Sequence, residues 1–184
     1  MCGRYTLFTE EDNKQIKEIL RELEKHPLRH EMKTGEIFPT NLAPVITGDR
    51  AGKYSIQKWG FQFKSLIINA RAETIHEKRT FMGPIRKGRI LVPATGFYEW
   101  DEKKGKHHYT REDSPLLYMA GISNGSDYVI ITTAANESVS PVHERMPLII
   151  DERLMEDWLY DDKAYIHLLA QQDTMLLDQL IEGK

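Results

Sequence analysis

The sequence predicts an α+β fold: a curved mixed or antiparallel β-sheet, barrel-like in its curvature, with flanking helices. Three observations lead there. Short runs of branched and aromatic residues recur through the middle of the chain between glycine, proline and Asn-Gly turns, and apolar residues at helical spacing are confined to the two ends. A length of 184 residues with 40% apolar content suffices for one buried core. Residues 1–184 carry no repeat, low-complexity tract or visible boundary and read as one domain.

Taken in order, Thr9 and Asp12 form a capping signal for a helix in which Ile16, Ile19, Leu20 and Leu23 share one face, ending by Pro27. Pro39, Pro44, Gly48 and Gly52 then punctuate strands at Val45 to Thr47, Tyr54 to Trp59 and Leu66 to Ala70. Further strands run over Arg89 to Ala94, Gly96 to Trp100, Leu116 to Ile122 and Tyr128 to Thr133, the last two separated by the Asn124-Gly125 turn. Lys103, Lys104 and Lys106 mark an exposed hairpin tip. From Asp151 onward, Leu154, Met155, Trp158 and Leu159, then Ile166, Leu168 and Leu169, then Met175, Leu176, Leu177, Leu180 and Ile181 predict short helices.

Composition narrows the function. A single cysteine excludes an internal disulfide, no apolar run reaches the ~18 residues of a membrane span, and Met1-Cys2-Gly3-Arg4-Tyr5 is not the start of a signal peptide. The expectation is a soluble, cytoplasmic protein and a monomer. The net charge of −3 is uneven: residues 1–112 carry 21 Lys and Arg against 15 Asp and Glu (+6), whereas residues 113–184 carry 4 against 13 (−9). The basic part can hold an anion-binding face, although on charge alone solvated surface is the simpler reading. Seven histidines show no paired metal-ligand spacing, and the adjacent His107 and His108 point to opposite faces of a strand, so neither metal nor cofactor is expected.

Cys2 is the first candidate for chemistry. Removal of Met1 leaves a cysteine whose α-amine, with pKa near ~7.7, is substantially neutral and sits beside its thiol. Such an aminothiol condenses with an aldehyde to an imine and closes a five-membered thiazolidine ring. A lone cysteine reads equally well as an inert small hydrophobe. Three clusters shift that balance. Asn69-Ala70-Arg71-Ala72-Glu73 projects Asn69 and Arg71 from the same side of a strand. Gly96-Phe97-Tyr98-Glu99-Trp100 sets a carboxylate in an apolar strand, where burial needs a reason. His143-Glu144-Arg145-Met146-Pro147 brings an imidazole and a guanidinium to a loop at a sheet edge.

These motifs resemble the SOS response-associated peptidase (SRAP) family. The resemblance rests on Met-Cys-Gly-Arg-Tyr at the start, Asn-Leu-Ala-Pro at 41–44, Trp59-Gly60-Phe61, Asn-Ala-Arg-Ala-Glu-Thr at 69–74, Gly-Phe-Tyr-Glu-Trp at 96–100 and His-Glu-Arg-Met-Pro at 143–147. Order and spacing also match, from Cys2 to about Trp158. It implies one SRAP domain with a groove for single-stranded DNA, and a thiazolidine crosslink between Cys2 and the aldehyde of an abasic site. Cys2 is then the nucleophile, Asn69 orients the reacting sugar or amine, Glu99 is the acid/base group beside the α-amine, and His143 is the proton donor that opens the sugar. Arg4, Arg71 and Arg145 are the implied phosphate ligands, with Asn41, Pro44 and Trp59 completing the DNA-binding set. The peptidase label implies release of Met1, autocatalytic or not, alongside lyase-like action on the lesion and association with the nucleoid when DNA is bound.

Two departures stand out. After Trp59-Gly60-Phe61 the family usually carries proline and tryptophan, whereas Gln62, Phe63 and Lys64 stand here, so the aromatic wedge against bases is either weaker or supplied by Phe63. The family's C-terminal strand is not evident after Trp158. Two other readings compete: an N-terminal-nucleophile glutamine amidotransferase, which also begins with cysteine, and a reader of modified bases that binds without covalent chemistry.

Overall fold

The computed structural model describes residues 2–9, 13–48, 53–171 and 174–181. Asp12, Gly52 and Met1, each used in the sequence reading, lie outside them. The strands are β1 (Tyr5–Leu7), β2 (Gly35–Ile37), β3 (Leu42–Thr47), β4 (Tyr54–Trp59), β5 (Phe61–Gln62), β6 (Leu66–Ile67), β7 (Asn69–Arg71), β8 (Arg89–Ala94), β9 (Gly96–Trp100), β10 (Lys106–Thr110), β11 (Leu117–Ser123), β12 (Asp127–Ala134), β13 (Arg145–Pro147) and β14 (Leu177–Ile181). The α-helices are α1 (Lys14–Glu22), α2 (Arg79–Lys87), α3 (Met155–Tyr160) and α4 (Ala164–Leu168).

Strands β11, β8, β3, β4 and β12 pair in that order, and β12 pairs back onto β11, so this sheet closes on itself as a barrel. Closure removes edge strands that would otherwise expose unpaired backbone groups. The β12–β4 contact that completes the ring is parallel, while the other ring pairings are antiparallel. A second sheet, ordered β14-β10-β9-β1-β2, is antiparallel throughout. The predicted α+β class, with a curved barrel-like sheet and flanking helices, is the one observed.

Alternation along the strands divides the core. Ile90, Val92 and Ala94 of β8 join a cluster with Cys2, Tyr5, Trp59, Phe97 and Tyr128, whereas Leu91 of the same strand joins the cluster that α2, α3 and α4 cover. Burial on both faces explains why Arg89–Ala94 reads as a continuous apolar run. The first cluster draws residues from both sheets and contains the candidate nucleophile.

Three local readings need correction. The α1 cap is Asn13, whose side-chain oxygen accepts from the N–H groups of Gln15 and Ile16, and not the Thr9/Asp12 signal. Helix α2 was not anticipated, because Gly83 and Pro84 interrupt its pattern; the buried pair Phe81 and Ile85, four residues apart, holds it nonetheless. The segment ending in Ile181 is a strand where a helix was expected. Its leucines fit helical spacing, but Leu177 and Leu180 are 49% and 55% exposed, so apolar burial does not organise it. The backbone ladder to β10, from Lys106↔Ile181 to Thr110↔Leu177, does.

Candidate functional site

The chain enters β1 directly from Cys2, and β1 pairs with β9 at Tyr5↔Phe97. Tyr98 extends that register toward the N-terminus by donating its N–H to the Arg4 carbonyl at 2.9 Å. Phe97 and Glu99 alternate onto the inner face of β9, the side on which Cys2 is buried. Cys2 has no exposed surface, and Glu99 keeps only 2%. Burial pushes the Cys2 thiol pKa far above its ordinary value, and the nearby Glu99 charge adds to that. Burial likewise raises the Glu99 carboxyl, against the opposing pull of His143.

His143 arrives from another element. The Asn136 side chain accepts from the N–H of Ser138, Val139 is buried, and His143 closes the turn by donating its N–H to the Val139 carbonyl at 3.0 Å. The Arg145 N–H donates to His143 Nδ1 at 2.9 Å. The Arg145 carbonyl lies 3.1 Å from the same Nδ1, so the Arg145 backbone fixes the ring orientation through both of its polar groups. Nε2 lies 4.0 Å from Glu99 Oε2. The sole thiol of the chain, a buried carboxylate and an imidazole nitrogen thus line one end of the inner face.

Strand β7 pairs in parallel with β12, placing Asn69 opposite Ile130 and Arg71 opposite Thr132. Ile130 belongs to the cluster that holds Cys2, so Asn69 stands on the Cys2 side of the sheet. Both heteroatoms of its amide are buried without a hydrogen-bond partner among the described residues. An orphaned buried amide costs free energy, and such groups gather at binding sites. Arg71 is exposed and has no ion pair or hydrogen bond through its side chain among the described residues.

The model of the SOS response associated peptidase (SRAP) family matches residues 1–179. The chain belongs to the SRAP family. The abasic site processing protein YoqW of Bacillus subtilis is 30% identical over 200 residues, covering 93% of this chain and 87% of that protein. The abasic site processing protein HMCES of Gallus gallus is 36% identical over 131 residues, 53% of this chain and 38% of its own length. A solved structure from Bacteroides thetaiotaomicron superposes with a TM-score of 0.75 at 25% identity, covering 99% of this chain and 93% of that one. One from Bordetella bronchiseptica, at 19% identity and covering 99% and 100%, gives 0.74 and shows the shared SRAP fold.

Within this SRAP fold the expected DNA contacts divide sharply. Trp59 has no exposed surface: it packs on Tyr5 at 5.2 Å, stacks with Tyr128 at 6.5 Å and donates its indole N–H to the Ile68 carbonyl at 3.0 Å. It is a core pillar and presents no face to a base. Pro44 is buried in β3 opposite Ile56, which likewise removes it from any DNA surface. Asn41 is a turn residue, accepting from the Phe38 N–H through its side chain and from the Trp59 N–H through its carbonyl. Phe63, by contrast, is 55% exposed beyond β5.

Sequence reasoning missed the partners of two arginines. Arg145 makes two parallel hydrogen bonds to the Glu73 carboxylate, at 2.6 and 2.9 Å, and a third to the Thr132 carbonyl at 2.8 Å. Arg4 donates to Glu36 at 3.4 Å and lies over the rings of Phe38 and Trp100. Lys106 donates to the other oxygen of Glu36 at 2.8 Å. For Glu73 a signal existed, since it follows Asn69 and Arg71 at the same two-residue spacing. For Glu36, thirty-two residues from Arg4, none did. Among the described residues no three His, Cys, Asp or Glu side chains converge as metal ligands, and no helix is long and apolar enough to cross a membrane.

Proposed function

We propose that this protein captures abasic sites in single-stranded DNA by a covalent bond from Cys2, shielding the lesion. One observation carries the reading: Glu99, buried in an apolar strand, is near both the single thiol of the chain and the His143 Nε2. A carboxyl group with a raised pKa is suited to taking and returning protons near neutral pH.

The steps follow from those groups. Release of Met1 frees the Cys2 α-amine. His143 protonates the ring oxygen of the abasic sugar as it opens to the aldehyde, and the orphaned Asn69 amide holds the sugar or the amine. Glu99 accepts a proton from the amine, which adds to the carbonyl carbon and expels water to give an imine. The thiol then adds to the imine carbon, its proton passing to nitrogen, and a thiazolidine results with no oxidant or reductant required. Arg4, Arg71 and Arg145 hold backbone phosphates, because a planar guanidinium binds two oxygens at once and stays charged. All these groups come from one chain, which fits action as a monomer on DNA, at the nucleoid. The abasic-site processing named for the relatives, and the peptidase name of the family, agree with this reading, the latter as release of Met1. A glutamine amidotransferase would leave Glu99 and His143 without a task.

The test is denaturing electrophoresis after incubation with an abasic single-stranded oligonucleotide. Wild type is expected to give a shifted band without added reductant, while Cys2→Ala, Cys2→Ser and a variant retaining Met1 give none. A Cys2→Ala band as stable as wild type would overturn the thiazolidine. A complex that always dissolves on denaturation would leave the non-covalent reader in its place.

A further inference from the structure

Two of the three arginines assigned above to phosphate, Arg4 and Arg145, are not waiting empty. Arg145 is clamped by both oxygens of Glu73, and Arg4 shares Glu36 with Lys106. A carboxylate presents two oxygens to the guanidinium fork much as a phosphate does. A phosphate has further acceptor oxygens, and the donors for them exist: the Nε–H groups of both Arg4 and Arg145 are buried without an acceptor among the described residues.

Resting on that DNA reading, we propose that Glu36 and Glu73 occupy the phosphate positions of the DNA-free protein as built-in competitors. Backbone phosphate must displace them to bind, which weakens the hold on intact single strands and leaves lasting attachment to the covalent step at a lesion. Glu73 is suited to leave, since its side chain is 47% exposed while that of Arg145 is 12% exposed. A carboxylate swinging into water regains its hydration, and the guanidinium stays in place on the Thr132 carbonyl.

The test measures anisotropy of an intact, lesion-free oligothymidylate at fixed physiological salt. Glu73→Gln should bind about threefold more tightly than wild type, the scale of losing one exposed ion pair. The control is Glu144→Gln, which removes the same charge from an exposed position beside Arg145 without releasing an arginine; it should change affinity less than about 1.5-fold, as expected for an exposed charge screened by water and salt. In an Arg145→Ala background the Glu73→Gln gain should shrink to the control value. Glu36→Gln, releasing Arg4, is an independent second arm with the same expected sign, and decides the matter if Glu73→Gln does not fold. Affinity that falls in both variants, or rises no more than in Glu144→Gln, would overturn the competition and make these pairs structural struts. Were wild type to bind no single strand at all, both this inference and the DNA reading would fail; binding and crosslinking with unresponsive Glu36 and Glu73 would sink this inference alone.

Discussion

Glu99 faces the buried layer beneath β9, where a carboxylate is poorly solvated and its ionisation costs free energy. Because its folded pKa is raised, its contribution to stability is fully present below the unfolded value near ~4.3 and is lost as pH rises through the folded value. Glu99→Gln keeps the shape and removes the ionisation. Its melting temperature should match wild type in acid and equal or exceed it at neutral pH, while adduct formation slows by roughly 10²-fold and DNA affinity persists. A melting temperature that drops together with rate and affinity would make Glu99 a structural partner and leave His143 as the proton carrier. This residue was legible in the sequence, because a carboxylate within Gly96-Phe97-Tyr98-Glu99-Trp100 has no cheap explanation. The Glu73 and Glu36 partnerships were hidden, since an ion pair between distant strands leaves no periodic trace.

Elements were legible where one face is apolar and illegible where a partner strand does the holding. Strands β8, β11 and β12 announce themselves by branched residues buried on both faces. Strands β1, β2 and β13 have only three residues each, too few to show a pattern, and β14 copies helical spacing while lying exposed on β10. The turn from β4 into the β5–β6 hairpin shows how one motif divides its labour. Gly60 sits at φ +117°, where a side chain would be strained and a Cβ would meet Leu66, so the backbone bends there, between the buried Trp59 and the exposed Phe63. Trp59→Ala should therefore cost about 3–5 kcal/mol of stability in a denaturant melt. Phe63→Ala should leave stability nearly unchanged and weaken single-strand binding by about 1–3 kcal/mol, the scale of one base stacked on an aromatic ring. The reverse outcome, with Trp59→Ala stable but unable to bind, would restore Trp59 to the DNA surface.

At the scale of the molecule, a closed barrel and a five-stranded sheet share the layer that contains Cys2, and the β1–β9 pairing delivers the N-terminus to it. The balance of +6 in residues 1–112 includes Arg71, exposed beside Thr132, whose carbonyl holds Arg145. If Arg71 holds a single-strand phosphate, Arg71→Ala should lower the slope of log affinity against log salt by roughly 0.7 for every base sequence alike. An unchanged slope would put the DNA elsewhere. The α+β class and the candidate residues Cys2, Glu99 and His143 could be read from the chain because strand pattern and motif chemistry are local. Ring closure through the parallel β12–β4 contact is a long-range pairing that no local pattern encodes, whereas the β11–β12 hairpin is local.

The account stands most directly on the free aminothiol of Cys2, and intact-mass analysis with and without abasic single-stranded DNA reads it in one experiment. The predicted result is a chain lighter by its initiating methionine that shifts, on incubation, to the sum of protein and oligonucleotide less one water, with Cys2→Ala remaining unshifted. An equal shift in Cys2→Ala without reductant, or a processed wild-type chain that never gains the mass of the DNA, would contradict it.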